Sequence, residues 1–504
     1  MREYDVIVIG GGLGGLTTAA MLSKEGLGVL VVEQHSVIGG CLQSFSRAGR
    51  TLDTGMHYVG SLDNGEIMHQ YFKYLGVIDS LKLRKLDENG FDHFHFSDGT
   101  TYCHAMGYER FAETLAAHFP EELGNIESLC RTIERVGNLI SPAILREGKI
   151  SNGGAEYMAT SAYGEIGRHI RSEKLQRIFA ANSGLYAGDR LTTSLYEYGM
   201  ITHSNIKGAY AFVDGSQQLA DLLVEQIVAN GGEVQLGAKV AKINLNGAKA
   251  EHITIESGEQ IAAKWVISSL HPAVTFSLLE NNTVYKKAFF SRMNSMPNTY
   301  GIFTTYLLLK PQSIKYINKN NYLFNNDDVW SATGNYKGHN IASTLLCMQP
   351  NSGSEYTDVV TLLTPMPHAV YEQWNNTRFA DRGVGYKEWK ESFSEAVIDF
   401  ACSFYPELRG VIERVYTASP LTYRDYTAAP LGCAYGVVKD CRNPLVTLLP
   451  AKTRIENMLI TGQSLNIHGC LGTTVSSAVT CSEILGTEYL AKKIGNRKSE
   501  QCGQ

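Results

Sequence analysis

In RTLDTGMHYVG (residues 50–60) the chain sets His57 beside Tyr58 between two glycines, Gly55 and Gly60. An imidazole titrating near its ordinary value of about 6.5 gives or takes a proton at neutral pH. Tyr58 beside it is a further candidate catalytic residue. The flanking glycines let main chain approach whatever the pair serves. The same histidine could instead pack or hydrogen-bond a bound group, and both roles stand at this stage. Tyr435 in LGCAYG and His468 in NIHGCLG are two further candidate donors in glycine-flanked stretches. Other chemistry-bearing residues point elsewhere. His93 and His95 alternate with Phe94 and Phe96, as the two faces of one strand would. Arg424 and Asp425 could pair in the substrate cavity or form a surface ion pair, the commoner case. The 10 cysteines show no C-x-x-C or zinc spacing and the 14 histidines no H-E-x-x-H, so no metal is expected and a reducing compartment is.

Positioning such a pair requires a scaffold, and the segment before it supplies one. DVIVIGGGLGGLTTAAMLSKEGLGVLVVEQ divides into an apolar strand over Asp5–Ile9, a glycine turn, a helix from Leu13 to Lys24, a second strand over Gly28–Val32, and Glu33. Gly10, Gly12 and Gly15 form G-x-G-x-x-G, with Leu13 and Gly14 between. Gly10 permits the tight turn, Gly12 lets main chain approach a pyrophosphate, and Gly15 lets the helix press on the sheet. The helix N-terminus turns free N–H groups and the positive end of its dipole to the phosphates. Glu33, eighteen residues past Gly15, is placed to accept hydrogen bonds from the ribose hydroxyls. A dinucleotide site is expected.

The 504 residues favour more than one core. Apolar content of 44% and charged content of 19% describe an ordinary globular chain, and a net charge of −5 without a basic tract excludes nucleic acid as the partner class. Five glycines between residues 10 and 15 disqualify the first apolar run as a spanning or targeting helix, and no other run approaches twenty apolar residues. A cytoplasmic protein is expected. Three segments, 1–75, 211–290 and 440–504, read as one discontinuous nucleotide domain; 76–210 and 291–439 read as an inserted α+β substrate domain. In the latter, FHFSDGTTYCHAMG is a hairpin by its Asp-Gly turn, and EWKESFSEAVIDFACSFY is an amphipathic helix. In KPQSIKYINKNNYLF, lysines alternate with aromatic residues as at a membrane-facing edge or in a solvated loop. The polar end, KKIGNRKSEQCGQ, is expected to fray.

GGGLGGL, GGCLQSF, LDTGMHYVG, ASPLTYRDYTAAPLGCAYG and LITGQSLNIHGCLG together resemble the FAD-dependent carotenoid and retinoid oxidoreductases. The saturase and isomerase branch is nearer than the desaturases, which more often carry a basic residue where this chain has Cys41. The resemblance covers essentially the whole length. It implies an α/β flavoprotein of the amine oxidase and phytoene desaturase type: a Rossmann-like FAD domain plus an inserted substrate domain. It also implies that Gly39, Gly40 and Cys41 form a second cofactor element, that Gly55, Met56 and His57 pass along the flavin ring, and that Val240 flanks the adenine. Gly462, Gly469, Leu471, Gly472 and Thr473 would bring a helix N-terminus to the flavin's pyrimidine edge. Cys433, the site of covalent flavin attachment in some amine oxidases, is expected here as a buried thiol.

The activity so implied acts on a carbon–carbon double bond of an apolar polyene, retinoid or isoprenoid, with hydride from reduced flavin and a proton from an acid near His57. Cis–trans isomerisation and phytoene-type desaturation are the alternatives within the family. An amine oxidase-like enzyme and a non-catalytic lipid-binding chaperone like the GDP-dissociation inhibitors are the alternatives outside it. No second G-x-G-x-x-G follows a strand, so electrons are expected from transiently docked NAD(P)H or a partner, and a lipid-soluble substrate implies contact with a membrane surface.

Overall fold

Strand Glu3–Ile9 lies between Val29–Val32 and Gln260–Ser268, parallel to both. This explains its unbroken apolar run. Val6, Val8, Val29 and Val31 face one core, while Ile7, Ile9, Leu30 and Val32 face another, so side chains on both sides of the sheet are out of water. The computed structural model describes residues 3–150, 154–330 and 340–495. Among them, eight strands form this sheet in the order Glu233–Gln235, Val29–Val32, Glu3–Ile9, Gln260–Ser268, Lys249–Ile255, Val240–Asn246 and Leu279–Glu280, with Met458–Ile460 parallel to Gln260–Ser268. Helix Leu13–Lys24 covers one face, and helices Gln217–Ala229 and Gly469–Leu485 pack against it.

A second, seven-stranded sheet runs Ile412–Ala418, Gly301–Leu309, Val359–Met366, Ser343–Met348, Asn320–Phe324, Asp92–Phe96 and Thr101–His104. It is antiparallel except where Asn320–Phe324 runs parallel to Asp92–Phe96. The Asp-Gly hairpin forms, with Asp98 accepting from the Thr100 N–H at 2.8 Å. On one face of this sheet Phe303, Leu307 and Leu362 pack against Phe393 and Val397 of helix Gly383–Phe404. The other face looks toward the first sheet. The protein is thus an α/β fold with an additional mixed sheet.

Two expectations about these outer elements need correction. Strand Asn320–Phe324 is buried along its whole length, and Tyr316 lies under the guanidinium of Arg84 at 5.0 Å. The aromatic residues of that lysine-rich stretch therefore point inward and do not form a membrane-facing edge. Asp425 is not half of a surface pair. It sits between Arg424, whose Nε is 2.8 Å from Oδ1, and the buried Arg382, which also bonds the Leu421 carbonyl at 3.1 Å. A buried guanidinium needs a carboxylate, and that need draws Asp425 in. The expected alternation at His93–Phe96 is present, with both phenylalanines buried and both histidines half-buried. Lys492–Gly495 close the last helix, Thr487–Gly495; the rest of the polar end lies outside the described residues.

Candidate functional site

At the end of the first strand, Gly10 turns with φ of +99°, the left-handed region that favours glycine. A Cβ on Gly15 would stand 1.9 Å from the Gly10 carbonyl oxygen, so the helix can lie this close only without a side chain there. Gly12 is different. Its backbone is extended at φ −79° and ψ 179°, and a Cβ on it would meet nothing within 4 Å. It is the N-cap of helix Leu13–Lys24 and offers no side chain to cap it. Gly39 and Gly40 close on the same loop: the Gly39 N–H donates to the Gly11 carbonyl at 2.9 Å, and a Cβ on Gly40 would lie 3.1 Å from the Gly12 Cα. Glu33 pins the assembly, accepting from the Gly11 N–H at 2.7 Å and the His35 N–H at 2.8 Å. These two main-chain bonds were not foreseen for Glu33, whose expected partner was a ribose. Gly11, not singled out beforehand, carries one of them.

A cavity of about 470 Å³ extends from this loop to the inner face of the seven-stranded sheet. Gly10, Gly12, Leu13, Gly14, Glu33, Gly39, Gly40, Cys41, Gly55, Met56, His57, Tyr58, Val240, Tyr435, Gly462, His468, Gly469, Leu471 and Thr473 all line it. Gly15 and Gly472 do not. Both pack behind the wall, and a Cβ on Gly472 would fall 2.4 Å from the Ile467 carbonyl. Cys433 lines the cavity as a buried thiol whose pKa burial pushes up to about 12. The far wall is apolar. Cross-strand neighbours Ile302 and Pro365, then Leu363, Leu345 and Tyr322, present one face of the sheet, with Phe324 two residues beyond. Among the described residues, Glu33 and Lys239 are the only Asp, Glu, Lys or Arg side chains in the lining, and both lie at the nucleotide-loop end.

The LDTGMHYVG segment is tied to this wall by Asp53. Its buried Oδ1 accepts from Ser44 Oγ at 2.6 Å, the Ser216 N–H at 2.9 Å and Ser216 Oγ at 3.2 Å. Its carbonyl accepts from Tyr306 Oη at 3.0 Å, and the next carbonyl, of Thr54, accepts from Tyr423 Oη at 2.7 Å. Held there, His57 has a buried Nε2 with no hydrogen-bond partner among the described residues. Burial pushes its pKa below the usual imidazole value, against an opposing pull from Asp53, so the ring is neutral at neutral pH.

Tyr58 bonds away from His57. Its Oη donates to Asp92 Oδ2 at 2.9 Å and lies 2.7 Å from Tyr322 Oη; Asn320 Nδ2 donates to Asp92 Oδ1 at 2.9 Å. Asp92 is wholly buried, and that burial raises its pKa to about 7 despite the two donors. Of the other candidate donors, Tyr435 spends its hydroxyl proton on the Gly184 carbonyl at 3.0 Å, and burial raises its pKa. His468, N-cap of helix Gly469–Leu485, has Nε2 2.9 Å from Glu197 Oε1 with both side chains buried, and its ring lies 5.6 Å from that of Tyr435. His468 is thus engaged with a carboxylate that is not part of the cavity lining. Asp92, Asp53 and Glu197 were not picked out from the sequence.

The structure offers several features that fit a flavin dinucleotide. A glycine loop leaves space where a Cβ would project, two helix N-termini without side-chain caps meet one cavity, and a histidine nitrogen stands unpartnered beside them.

Comparisons with known proteins agree with this geometry. Residues 13–305 match the family described as flavin containing amine oxidoreductase. The chain is 25% identical to the all-trans-retinol 13,14-reductase of Macaca fascicularis, over 99% of this chain and 89% of that one. It is 23% identical to prolycopene isomerase 2, chloroplastic, of an Oncidium hybrid cultivar, over 99% of this chain and 85% of that one. Among solved structures, putrescine oxidase bound to putrescine superposes with a TM-score of 0.63 at 14% identity, over 96% of this chain and 99% of that one.

Proposed function

This chain belongs to the flavin-containing amine oxidoreductase family, and on that premise we propose that it is an FAD-dependent oxidoreductase acting on a carbon–carbon double bond of an apolar polyene or isoprenoid, with saturation as the direction. The observation that carries the proposal is the charge-free, apolar end of the cavity, walled by Ile302, Phe324, Leu345 and Leu363. An amine substrate arrives as an ammonium ion and needs an anionic or strongly polar partner once desolvated. A neutral hydrocarbon chain needs what this wall offers. The end-to-end likeness to a retinol reductase and a prolycopene isomerase supports the same reading.

In this reading the loop of Gly10–Gly14 with Gly39 and Gly40 holds the pyrophosphate, Glu33 the ribose and Val240 the adenine. Gly55, Met56, His57, Gly462, Gly469, Leu471 and Thr473 border the ring system. Flavin, when bound, supplies hydride transfer to or from carbon. The chain supplies the rest. The apolar wall orients the double bond and excludes water. Neutral His57 positions a neighbour through Nε2, and Tyr58 holds a proton at the wall. NAD(P)H docking transiently, or a partner protein, would reload the reduced state. The exposed Phe379 and Tyr426, ring centroids 6.1 Å apart with Tyr426 at the cavity rim, support delivery of substrate from a lipid surface.

The test is anaerobic. Protein reconstituted with FAD and chemically reduced is mixed with retinoid, carotenoid and isoprenoid polyenes, and the products are weighed by mass spectrometry. A gain of two hydrogens is the expected result. Unchanged mass with altered chromatography would select isomerisation; loss of hydrogen by the oxidised protein, desaturation. Peroxide released from amines, or a protein that stays colourless in excess FAD, would overturn the proposal.

A further inference from the structure

We propose that Asp92 is the proton store of this site, feeding the cavity through the phenols of Tyr58 and Tyr322. The inference rests on the double-bond chemistry proposed above and deepens it by naming the source of the proton. Three oxygens stand in one hydrogen-bonded row. Asp92 Oδ2 lies 2.9 Å from Tyr58 Oη, which lies 2.7 Å from Tyr322 Oη, and both tyrosines line the cavity while Asp92 does not. Asp92 is sealed from solvent behind them.

The groups facing Asp92 do not compensate a charge there. Asn320, on the adjoining strand, and Cys347, one strand beyond it and 3.7 Å from Asn320 Oδ1, are neutral, with burial raising the Cys347 thiol. His104, its register partner on the hairpin, gives Nε2 to the Ile178 carbonyl at 3.1 Å and is pushed down to about 3 by burial, so it too is uncharged. Without a cation opposite, the neutral acid is the favoured form, in keeping with a pKa raised to about 7.

A phenol alone is a poor donor here. Burial, and then Asp92 and Tyr322, hold the Tyr58 pKa well above the ordinary tyrosine value. A phenolate left between a carboxylate and apolar walls would be costly, so the phenol can give up its proton only as it receives one. Reduction of a double bond balances on that basis. Flavin, bound in its reduced form, would supply the hydride for one carbon, whose new C–H bond forms as the π bond breaks. The other carbon takes the proton of Tyr58 or Tyr322. In the neutral acid Oδ2 carries the proton and donates it to Tyr58 Oη while Oδ1 accepts from Asn320, so the phenolic oxygen regains its proton from Asp92, leaving a carboxylate that accepts from Tyr58 and is reprotonated through the same row once product leaves. Asp92 thus acts through the phenols and positions the proton rather than touching substrate.

Asp92→Asn conserves shape and keeps an acceptor for Asn320, so it is expected to fold. Two readouts decide. In infrared spectra of the FAD-loaded protein, wild type should show a protonated-carboxyl band that disappears as pH rises through about 7, and Asp92→Asn should lack it. In single-turnover reduction of a polyene accepted by wild type, the wild-type rate should fall about tenfold per pH unit above that point, and the variant should be slower by roughly a hundredfold and insensitive to pH over that range. An Asp92 band already absent at pH 5.5, or a variant that keeps the wild-type pH profile, overturns the proton store. If no polyene is reduced by either protein, the proposed reaction fails instead, and Asp92 has no turnover to feed.

Discussion

Gly12→Ala is expected to yield a protein that unfolds at the wild-type denaturant midpoint and purifies without its flavin. The backbone at Gly12 is extended and acceptable to any residue, and a Cβ there meets no protein atom within 4 Å. The fold therefore has no reason to object. The space is open toward the cavity at the mouth of an uncapped helix, where the pyrophosphate would lie closest to main chain. A methyl group pushes that group outward and lengthens its bonds to the N–H groups. A loss of about 3 kcal/mol, or roughly a hundredfold in Kd, follows for two such bonds to a charged ligand. Gly15→Ala is the control, with the opposite signature. Its Cβ would stand 1.9 Å from the Gly10 carbonyl oxygen, so the helix must retreat from the sheet. About 2 kcal/mol or more of stability should be lost with that packing. Fluorescence titration with FAD and urea unfolding of both variants separate the two effects. If Gly12→Ala bound FAD as wild type does, the assignment of this loop to the pyrophosphate would fall.

Asp53→Ala should cost more stability than any other single change considered for this protein. Its buried carboxylate gathers the part-buried Ser44 Oγ, the Ser216 N–H and Ser216 Oγ. Removing it strands the Ser216 N–H at the start of helix Gln217–Ala229 and the Ser44 hydroxyl, while Ser216 Oγ keeps the Leu42 carbonyl at 3.0 Å. A buried hydrogen-bonded carboxylate taken from its partners costs roughly 3–5 kcal/mol. Since Asp53 also ends the strand that leads to His57 and Tyr58, flavin affinity should weaken in step with the loss of the anchor. Urea unfolding that shows a difference under about 1 kcal/mol would mean the stranded donors re-pair elsewhere. Asp53→Asn, which keeps one acceptor oxygen, should fall between.

Asp92 has its own effect on stability, and its sign is opposite to that of a salt-bridged acid. Its pKa is raised in the folded protein from 3.8 to about 7, so the native state holds a proton that the unfolded chain releases. Its contribution is fully present below about pH 4 and is lost as pH rises toward and through 7. The same slope should vanish in Asp92→Asn, a check that requires no substrate.

Much of the site could be read from contiguous residues. G-x-G-x-x-G between an apolar strand and a helix obeys steric rules that act over a few residues, and the Gly10, Gly12 and Gly15 positions in the structure follow them one by one. Strands buried on both faces announced themselves as unbroken apolar runs for the same reason: each residue's exposure depends on alternation along its own strand. The resemblance carried by LDTGMHYVG brought attention to His57 and Tyr58, and both line the cavity. What those two side chains do was not legible. Tyr58 meets Asp92 across 34 positions of sequence and Tyr322 across 264. In DHFHF the eye falls on the histidines, yet the aspartate is the residue with the unusual proton affinity. Arg382 likewise recruits Asp425 from 43 positions away.

Residue types and spacing determined the strand, glycine turn and helix with which this chain opens, because these elements are settled by local sterics. Which acid keeps its proton, and which wall faces the substrate, was decided only by tertiary packing. A carboxyl's affinity for a proton depends on how completely distant strands strip it of water and on what they leave opposite it, and no short stretch of sequence contains that information.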